Sequence, residues 1–183
     1  MGIGILLCGL NGVGKSTLGK ALAEKLRFHF IDNEDLYFPK NDPRYLYAAP
    51  RTREEVERLL LQEIKAHENF VFASVKGDYG EAVRACIRYV VWLEAPRELR
   101  LQRVKERSFR KFGDRILPGG DLYEQEEGFF SLVRSRAEDT VQTWLETFDR
   151  PVLRLDGTKP VEENVRLVTE RFFGGASVRP QSS

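Results

Sequence analysis

Residues 9–16 read Gly-Leu-Asn-Gly-Val-Gly-Lys-Ser and follow directly on a short apolar run at residues 3–8. A chain that passes from a continuous apolar strand into such a loop and then into a helix has few folds open to it. The strand must be covered on both faces, which calls for a parallel sheet with helices packed on each side. The glycines let the backbone curl until successive N–H groups point inward. The helix that opens near Ser16 adds the positive end of its dipole. Lys15 supplies a point charge, and the Ser16 hydroxyl is a hard oxygen donor suited to Mg²⁺. The segment is therefore expected to hold nucleotide phosphates through Gly9, Asn11, Gly12, Val13, Gly14, Lys15, Ser16 and Thr17. A chance match to the pattern arises in about one chain in a hundred or fewer at ordinary glycine frequency. The flanking strand and helix lower that further.

Beyond the loop, strand and helix signals alternate. Leu18, Ala21, Leu22 and Leu26 predict a helix over 16–25. Residues 28–31 predict a second strand. Residues 32–50, with Pro39, Pro43 and Pro50, predict irregular chain. Thr52 and Glu55 have capping-box spacing, and Val56, Leu59, Leu60 and Ile64 form the apolar face of the helix they open. A third strand is expected over 70–75, a loop over 76–80, and a short helix to about Ile87. A fourth strand covers 89–93, and Pro96 opens a helix to about Arg107. Residues 108–123 carry Gly113, Pro118, Gly119 and Gly120 and are expected to form a mobile lid. One long helix should follow, with Phe130, Val133, Ala137, Val141, Trp144 and Phe148 as its buried stripe. A fifth strand at 152–155 and a last helix at 161–172 complete a single domain over 1–173. The tail, 174–183, is expected to be flexible. In sheets of this kind ligands bind at the carboxyl ends of the strands.

Composition narrows the partners. A net charge of +1 gives no global pull toward nucleic acid or an anionic membrane. The two cysteines, Cys8 and Cys86, make no disulfide framework and fit reduced thiols in a cytoplasmic protein. The N-terminal apolar stretch is too short for a signal peptide or a membrane span. His29 and His67 read as structural, and no His, Cys or acidic spacing suggests zinc. A monomer or weak homodimer is expected.

Two classes of phosphate-binding loop protein lack their signals. No Asn-Lys-x-Asp guanine motif occurs. The strand Val90-Val91-Trp92-Leu93-Glu94 does not end in the Asp-Glu of AAA-type motors, and the chain is too short for their helical subdomain. What remains resembles the adenylate-kinase and shikimate-kinase group of small P-loop kinases. The loop, Phe30-Ile31-Asp32, Leu93-Glu94-Ala95-Pro96 followed by Arg103 and Arg107, and Leu155-Asp156-Gly157-Thr158 occur in that group's order over residues 3–172. The resemblance implies a three-layer α/β/α fold whose five-stranded parallel sheet runs 2-3-1-4-5. It also implies ATP and Mg²⁺ as ligands, with Arg107, Gly157 and Lys159 on the nucleotide. By position, Asp32 corresponds to a carboxylate near Mg²⁺ or the acceptor hydroxyl. Glu34 falls where shikimate-kinase-like enzymes place a second, substrate-binding aspartate. The Gly-Gly-Gly run of shikimate kinases and the Asp-Gly-Phe-Pro-Arg run of adenylate kinases are both absent.

The residues themselves point to phosphoryl transfer. Asp32, Glu34 and Asp35 cluster after the second strand, and a hydroxyl acceptor needs its proton accepted as it attacks. A phosphate acceptor would demand arginines instead, so the cluster tilts toward a hydroxyl. Asp32 reads as that base, or with Ser16 as a Mg²⁺ ligand. The base role is preferred because Ser16 already supplies a metal contact. Arg103 and Arg107 are four apart on one helix face at the lid entrance and suit phosphate oxygens. Arg97 and Arg100 read as a solvated face, and Arg44, Arg51 and Arg53 as surface charges. Glu34, Asp35, Lys76 and Asp78 should border the acceptor. The expected function is an ATP- and Mg²⁺-dependent kinase for a nucleotide, nucleoside or other hydroxyl metabolite. The alternative is a nucleotide-binding regulator or partner-coupled NTPase without a small acceptor.

Overall fold

The computed structural model describes residues 2–174. Its centre is β1 (Gly4–Cys8), buried along its whole length. Side chains of a strand alternate between faces, and the two sets of β1 enter two different cores. Ile5 and Leu7 join Val71, Val91 and Leu93 under α1 (Lys15–Leu26) and α8 (Val161–Phe173). Leu6 and Cys8 join Phe70, Phe72 and Val90 on the other face. There α3 (Arg53–Ala66) contributes Val56, Leu60 and Ile64. Three layers result.

The five strands are β1, β2 (His29–Asp32), β3 (Phe70–Ser74), β4 (Ile87–Glu94) and β5 (Val152–Asp156). They lie in the order β2-β3-β1-β4-β5 and every pair is parallel. The register aligns Asp32 with Ala73, Cys8 with Ser74 and Trp92, and Glu94 with Asp156. All five carboxyl ends therefore open on one edge of the sheet. The sheet order implied by resemblance is the order observed.

Several local expectations are met by identifiable causes. The Thr52 side chain accepts from Glu55 N while Glu55 returns to Thr52 N, so α3 begins at the capping box. After α1 the chain turns through Arg27, which takes a left-handed conformation at φ 58° and donates its N–H to Ala23 and Glu24. Between β3 and β4 lies a short helix, α4 (Glu81–Cys86).

Several expectations need correction. The segment 32–50 is not wholly irregular, because Asp32 caps a five-residue helix, α2 (Asn33–Tyr37), by accepting from Glu34 N. The helix after Pro96, α5, runs from Arg97 to Phe112 and stops where Gly113 takes φ 59°. A 3-10 turn (Gly113–Ile116) follows, and Phe112, Ile116 and Leu122 pack with Val104, Phe130 and Val133 into a third apolar cluster. The long helix expected after residue 123 is two helices, α6 (Tyr123–Ser135) and α7 (Thr140–Leu145). The break coincides with tertiary bonds. Arg97 caps the Arg134 carbonyl at 2.9 Å, and Arg100 pairs with Glu138 at 2.6 Å. Arg100 is thus a buried residue, only 3% exposed, not part of a solvated face. Of the expected tail only Gly174 lies among the described residues; 175–183 lie outside them. No described helix is long and apolar enough to cross a membrane.

Candidate active site

The carboxyl edge of the sheet opens into a cleft of about 1130 Å³. Its floor is the loop between β1 and α1. Gly12 and Gly14 take φ 86° and 103°, a region that L side chains avoid. At Gly12 a Cβ would lie 2.3 Å from the Arg100 carbonyl oxygen, so the loop is pressed against α5 and has no room for one. Gly14 precedes α1 and offers no side-chain cap. The first N–H groups of a helix have no partners within it, and here they face the cleft with the positive end of the helix dipole behind them.

Lys15 folds back over the loop. Its Nζ donates to the carbonyls of Gly9 at 2.8 Å and Leu10 at 3.1 Å. Burial pulls its pKa down to about 8; Cys8 and Asp32 pull it back up, while Arg107 and Arg136 push it down. Three cations from three elements thus face one another. Arg136 was missed by sequence reading because it was placed inside an unbroken helix. It sits at the C-cap of α6, in the break that no glycine or proline announces. Burial pulls its own pKa down.

Ser16 and Asp32 meet across the floor, the serine Oγ donating to Asp32 Oδ2 at 2.6 Å. Asp32 Oδ1 accepts from Glu34 N at 3.0 Å. The carboxylate is therefore fixed at both oxygens by the end of β2 and the start of α2. A hydroxyl and a carboxylate held this close, beside a phosphate-binding loop, are the hard oxygen donors Mg²⁺ takes, and few others are needed because Mg²⁺ keeps several waters. The pair fits such an ion.

The predicted arginines separate into two kinds. Arg103 Nη1 points at three carbonyls, Gly157 at 3.2 Å, Gly12 at 3.3 Å and Val13 at 3.5 Å. It ties the phosphate loop to the turn after β5, where Gly157 N donates to Glu94 O at 2.6 Å. Arg107 instead faces the cleft, close enough to act on Lys15, Glu34 and Tyr47 together. Gly157 and Lys159 line the same end of the cleft.

At the other end, Glu34 accepts from the Tyr47 hydroxyl at 2.9 Å and pairs with Lys111 at 3.3 Å. Burial works against its charge, but Lys111, the Tyr47 hydrogen bond and Arg107 hold its carboxyl below the usual range. Asp78 lies 3.1 Å from Lys76 Nζ and 3.7 Å from Arg53 Nη1. Arg53, an exposed charge as expected, also borders the cleft from the first turn of α3. Asp35 does not line the cleft; it is exposed and paired with Lys40. Tyr45, Tyr47 and Phe112 form an aromatic group, with ring centroids 5.6–6.0 Å apart, and the Tyr45 hydroxyl donates to buried Glu126 at 2.7 Å. The segments around 45 and 112, far apart in sequence, therefore pack on each other above the cleft.

A family model described as an AAA domain matches residues 5–116, from β1 through the 3-10 turn. The chain is 28% identical over 176 residues to the uncharacterized protein YqaC of Bacillus subtilis (strain 168), covering 91% of this chain and 95% of that one. It is 34% identical over 133 residues to a shikimate kinase of Gloeobacter violaceus, covering 67% of this chain and 71% of that one. A solved gluconokinase from Sinorhizobium meliloti 1021 shares the fold with a TM-score of 0.54 and 20% identity, covering 95% of this chain and 97% of that one.

Proposed function

The chain belongs to the AAA domain family and, among P-loop proteins, to the adenylate/shikimate kinase-like group of small kinases, and on that premise we propose that it moves the γ-phosphate of Mg-ATP to a hydroxyl of a small anionic molecule. The observation that carries this reading is the Ser16–Asp32 contact of 2.6 Å beside the phosphate loop, in a cleft that continues to Lys76, Asp78 and Arg53. One end of the cleft suits a nucleotide, and the other leaves room for a second compound.

In this reading the loop N–H groups and Lys15 hold the phosphate chain. Ser16 and Asp32 would hold Mg²⁺, which when bound neutralises charge on the phosphate oxygens. Arg107, reaching both Lys15 and Glu34, meets the phosphoryl group in transit. Arg103 keeps the loop and the turn at Gly157 in fixed relation, so it is a positioning residue. Because Asp32 is engaged with Ser16 and Glu34 N, its geometry favours the metal-shell role over that of base. That reverses the preference drawn from sequence. Asp78, braced by Lys76 and Arg53, is then the carboxylate left to orient or deprotonate the acceptor hydroxyl.

Charge argues for an anionic acceptor. Lys15, Arg53, Lys76, Arg103, Arg107, Arg110, Lys111, Arg136 and Lys159 line the cleft against Asp32, Glu34 and Asp78. A nucleotide engages the cations near the loop; Arg110 remains for a carboxylate or phosphate on the acceptor, with Arg53 and Lys76 shared with Asp78. The test is ADP release from Mg-ATP across hydroxy acids, sugar phosphates, nucleotides, nucleosides and neutral sugars. Stimulation by an anionic hydroxyl compound is the expected result. A preference for neutral sugars or nucleosides would refute the anionic assignment, and ADP release that no acceptor stimulates would favour a nucleotide-coupled regulator.

A further inference from the structure

The chain contains two histidines, His29 and His67, and both lie in one cluster away from the cleft. His29 opens β2, and His67 is the C-cap of α3. Their rings stack with centroids 3.6 Å apart and 15° between planes. Glu63, one turn before His67, brings Oε2 to 2.8 Å from His29 Nε2 and 3.9 Å from His67 Nε2. The ligand atoms of the three residues lie within 4.8 Å of one another. We propose that His29, Glu63 and His67 bind a divalent transition metal of the Zn²⁺ class, with water completing the shell, and that the ion clips α3 to β2.

The donor set selects the metal. Two imidazoles and one carboxylate suit Zn²⁺, Co²⁺, Ni²⁺ or Cu²⁺, whereas Mg²⁺ takes oxygen and retains its waters. Bonds of about 2.0–2.1 Å in a tetrahedron place ligand atoms about 3.3 Å apart. The two separations from Glu63 fall on either side of that value; the stacked rings must swing apart so that both in-plane nitrogen lone pairs converge on the ion. Glu63 and His67 share a face because they are one helical turn apart. The backbone holds the third ligand beside them: His29 N donates to Asn69 O at 3.0 Å, and Asn69 Oδ1 accepts from Ile3 N at 2.9 Å. The side chains are 34–42% exposed, which gives an ion a route in and leaves room for water.

The location gives the clip a purpose. Among the described residues β2 is an edge strand, bonded to β3 alone over four residues. The strand carries Asp32 at its far end, three residues and roughly 10 Å from His29 at the strand rise. An ion joining His29 to α3 adds a cross-link on the face of β2 that His29 shares with Ile31, where α3 packs. It is a separate site from the Ser16–Asp32 pair and does not depend on the kinase reading.

The experiment uses the full chain without a histidine tag and without nucleotide, titrated with Zn²⁺ by calorimetry and with Co²⁺ by absorbance. One equivalent is expected, with tetrahedral Co²⁺ bands, a metal-dependent rise in Tm, and both imidazoles shifting together by NMR. His29→Ala, His67→Ala and the shape-preserving Glu63→Gln should each weaken binding by at least about 10- to 100-fold, the scale on which even outer-shell partners act. Their helical circular dichroism should match the parent. Asp32→Asn should leave the titration unchanged. Absence of binding in the parent, binding that survives all three substitutions, or binding lost in Asp32→Asn would each overturn the proposal.

Discussion

Binding of ATP is expected to take up a proton in mildly alkaline solution, and Lys15 is the group that receives it. Burial lowers its pKa from the usual 10.5 to about 8, with Arg107 and Arg136 adding repulsion. A group of pKa about 8 is ~90% protonated at pH 7, ~50% at pH 8 and ~10% at pH 9. Phosphate oxygens beside the ammonium restore its ordinary proton affinity, so uptake on binding should rise from ~0.1 to ~0.5 to ~0.9 proton over those pH values. Affinity should fall about twofold by pH 8 and about tenfold by pH 9, because only the charged amine meets the phosphates well. Cys8, pushed up to about 12 by burial, does not titrate in this window. The sign on stability follows from the same depression. Between pH about 8 and about 10.5 the unfolded chain holds the extra proton, so stability without nucleotide gains from Lys15 as pH rises there. Calorimetric titrations in buffers of contrasting ionisation heat read the uptake directly. No uptake at pH 9, together with flat affinity from pH 7 to 9, would show that Lys15 keeps its proton in the free protein.

Five further variants have expected outcomes. Lys15→Ala should abolish stabilisation by ATP in thermal melts, which at a hundredfold excess over Kd is worth about 2.7 kcal/mol in the parent, while the melt without nucleotide remains cooperative. Arg107→Ala should lower turnover by about 10²–10³ with little change in ATP affinity. Arg103→Ala should act mainly on ATP affinity through the loop it ties down, and equal kinetic profiles for the two would refute the division. Asp32→Asn should raise the Mg²⁺ requirement, with added Mg²⁺ recovering part of the rate; a loss that no Mg²⁺ concentration relieves would return Asp32 to the base role. Thr52→Ala removes the capping box and should cost about 1 kcal/mol, a fall in Tm of roughly 2–4 °C for a chain of this length.

The readable parts of this sequence are those whose signals are local. The loop announces itself because phosphate binding demands glycine where φ is positive, as at Gly12 and Gly14. The alternation of strands and helices fixes the layers, and Thr52 with Glu55 marks the start of α3 to the residue. The break at Arg136 was unreadable for a physical reason. The apolar stripe from Phe130 to Phe148 keeps its period across it, while the contacts that accompany the break come from Arg97 and Arg100 on another helix. The same holds for Arg103, whose carbonyl partners lie in loops about ninety and fifty residues away in sequence. Asp35 misled for the opposite reason: proximity in sequence to Asp32 put it in the cluster, but the five residues of α2 turn it outward to Lys40. His29 and His67 show no metal spacing because only the fold brings His29, on β2, beside Glu63 and His67 at the end of α3.

The aromatic contact between Tyr45, Tyr47 and Phe112 bears on how such a protein would avoid wasting ATP. Tyr47 donates to Glu34, at the acceptor end, and packs on Phe112, at the end of the helix that carries Arg107. A compound bound against Glu34 would therefore touch a ring that packs on the helix carrying Arg107. On the proposed kinase reading, occupancy at Glu34 and placement of the helix that carries Arg107 would share one side chain, so the two ends of the cleft would be sensed through the same ring.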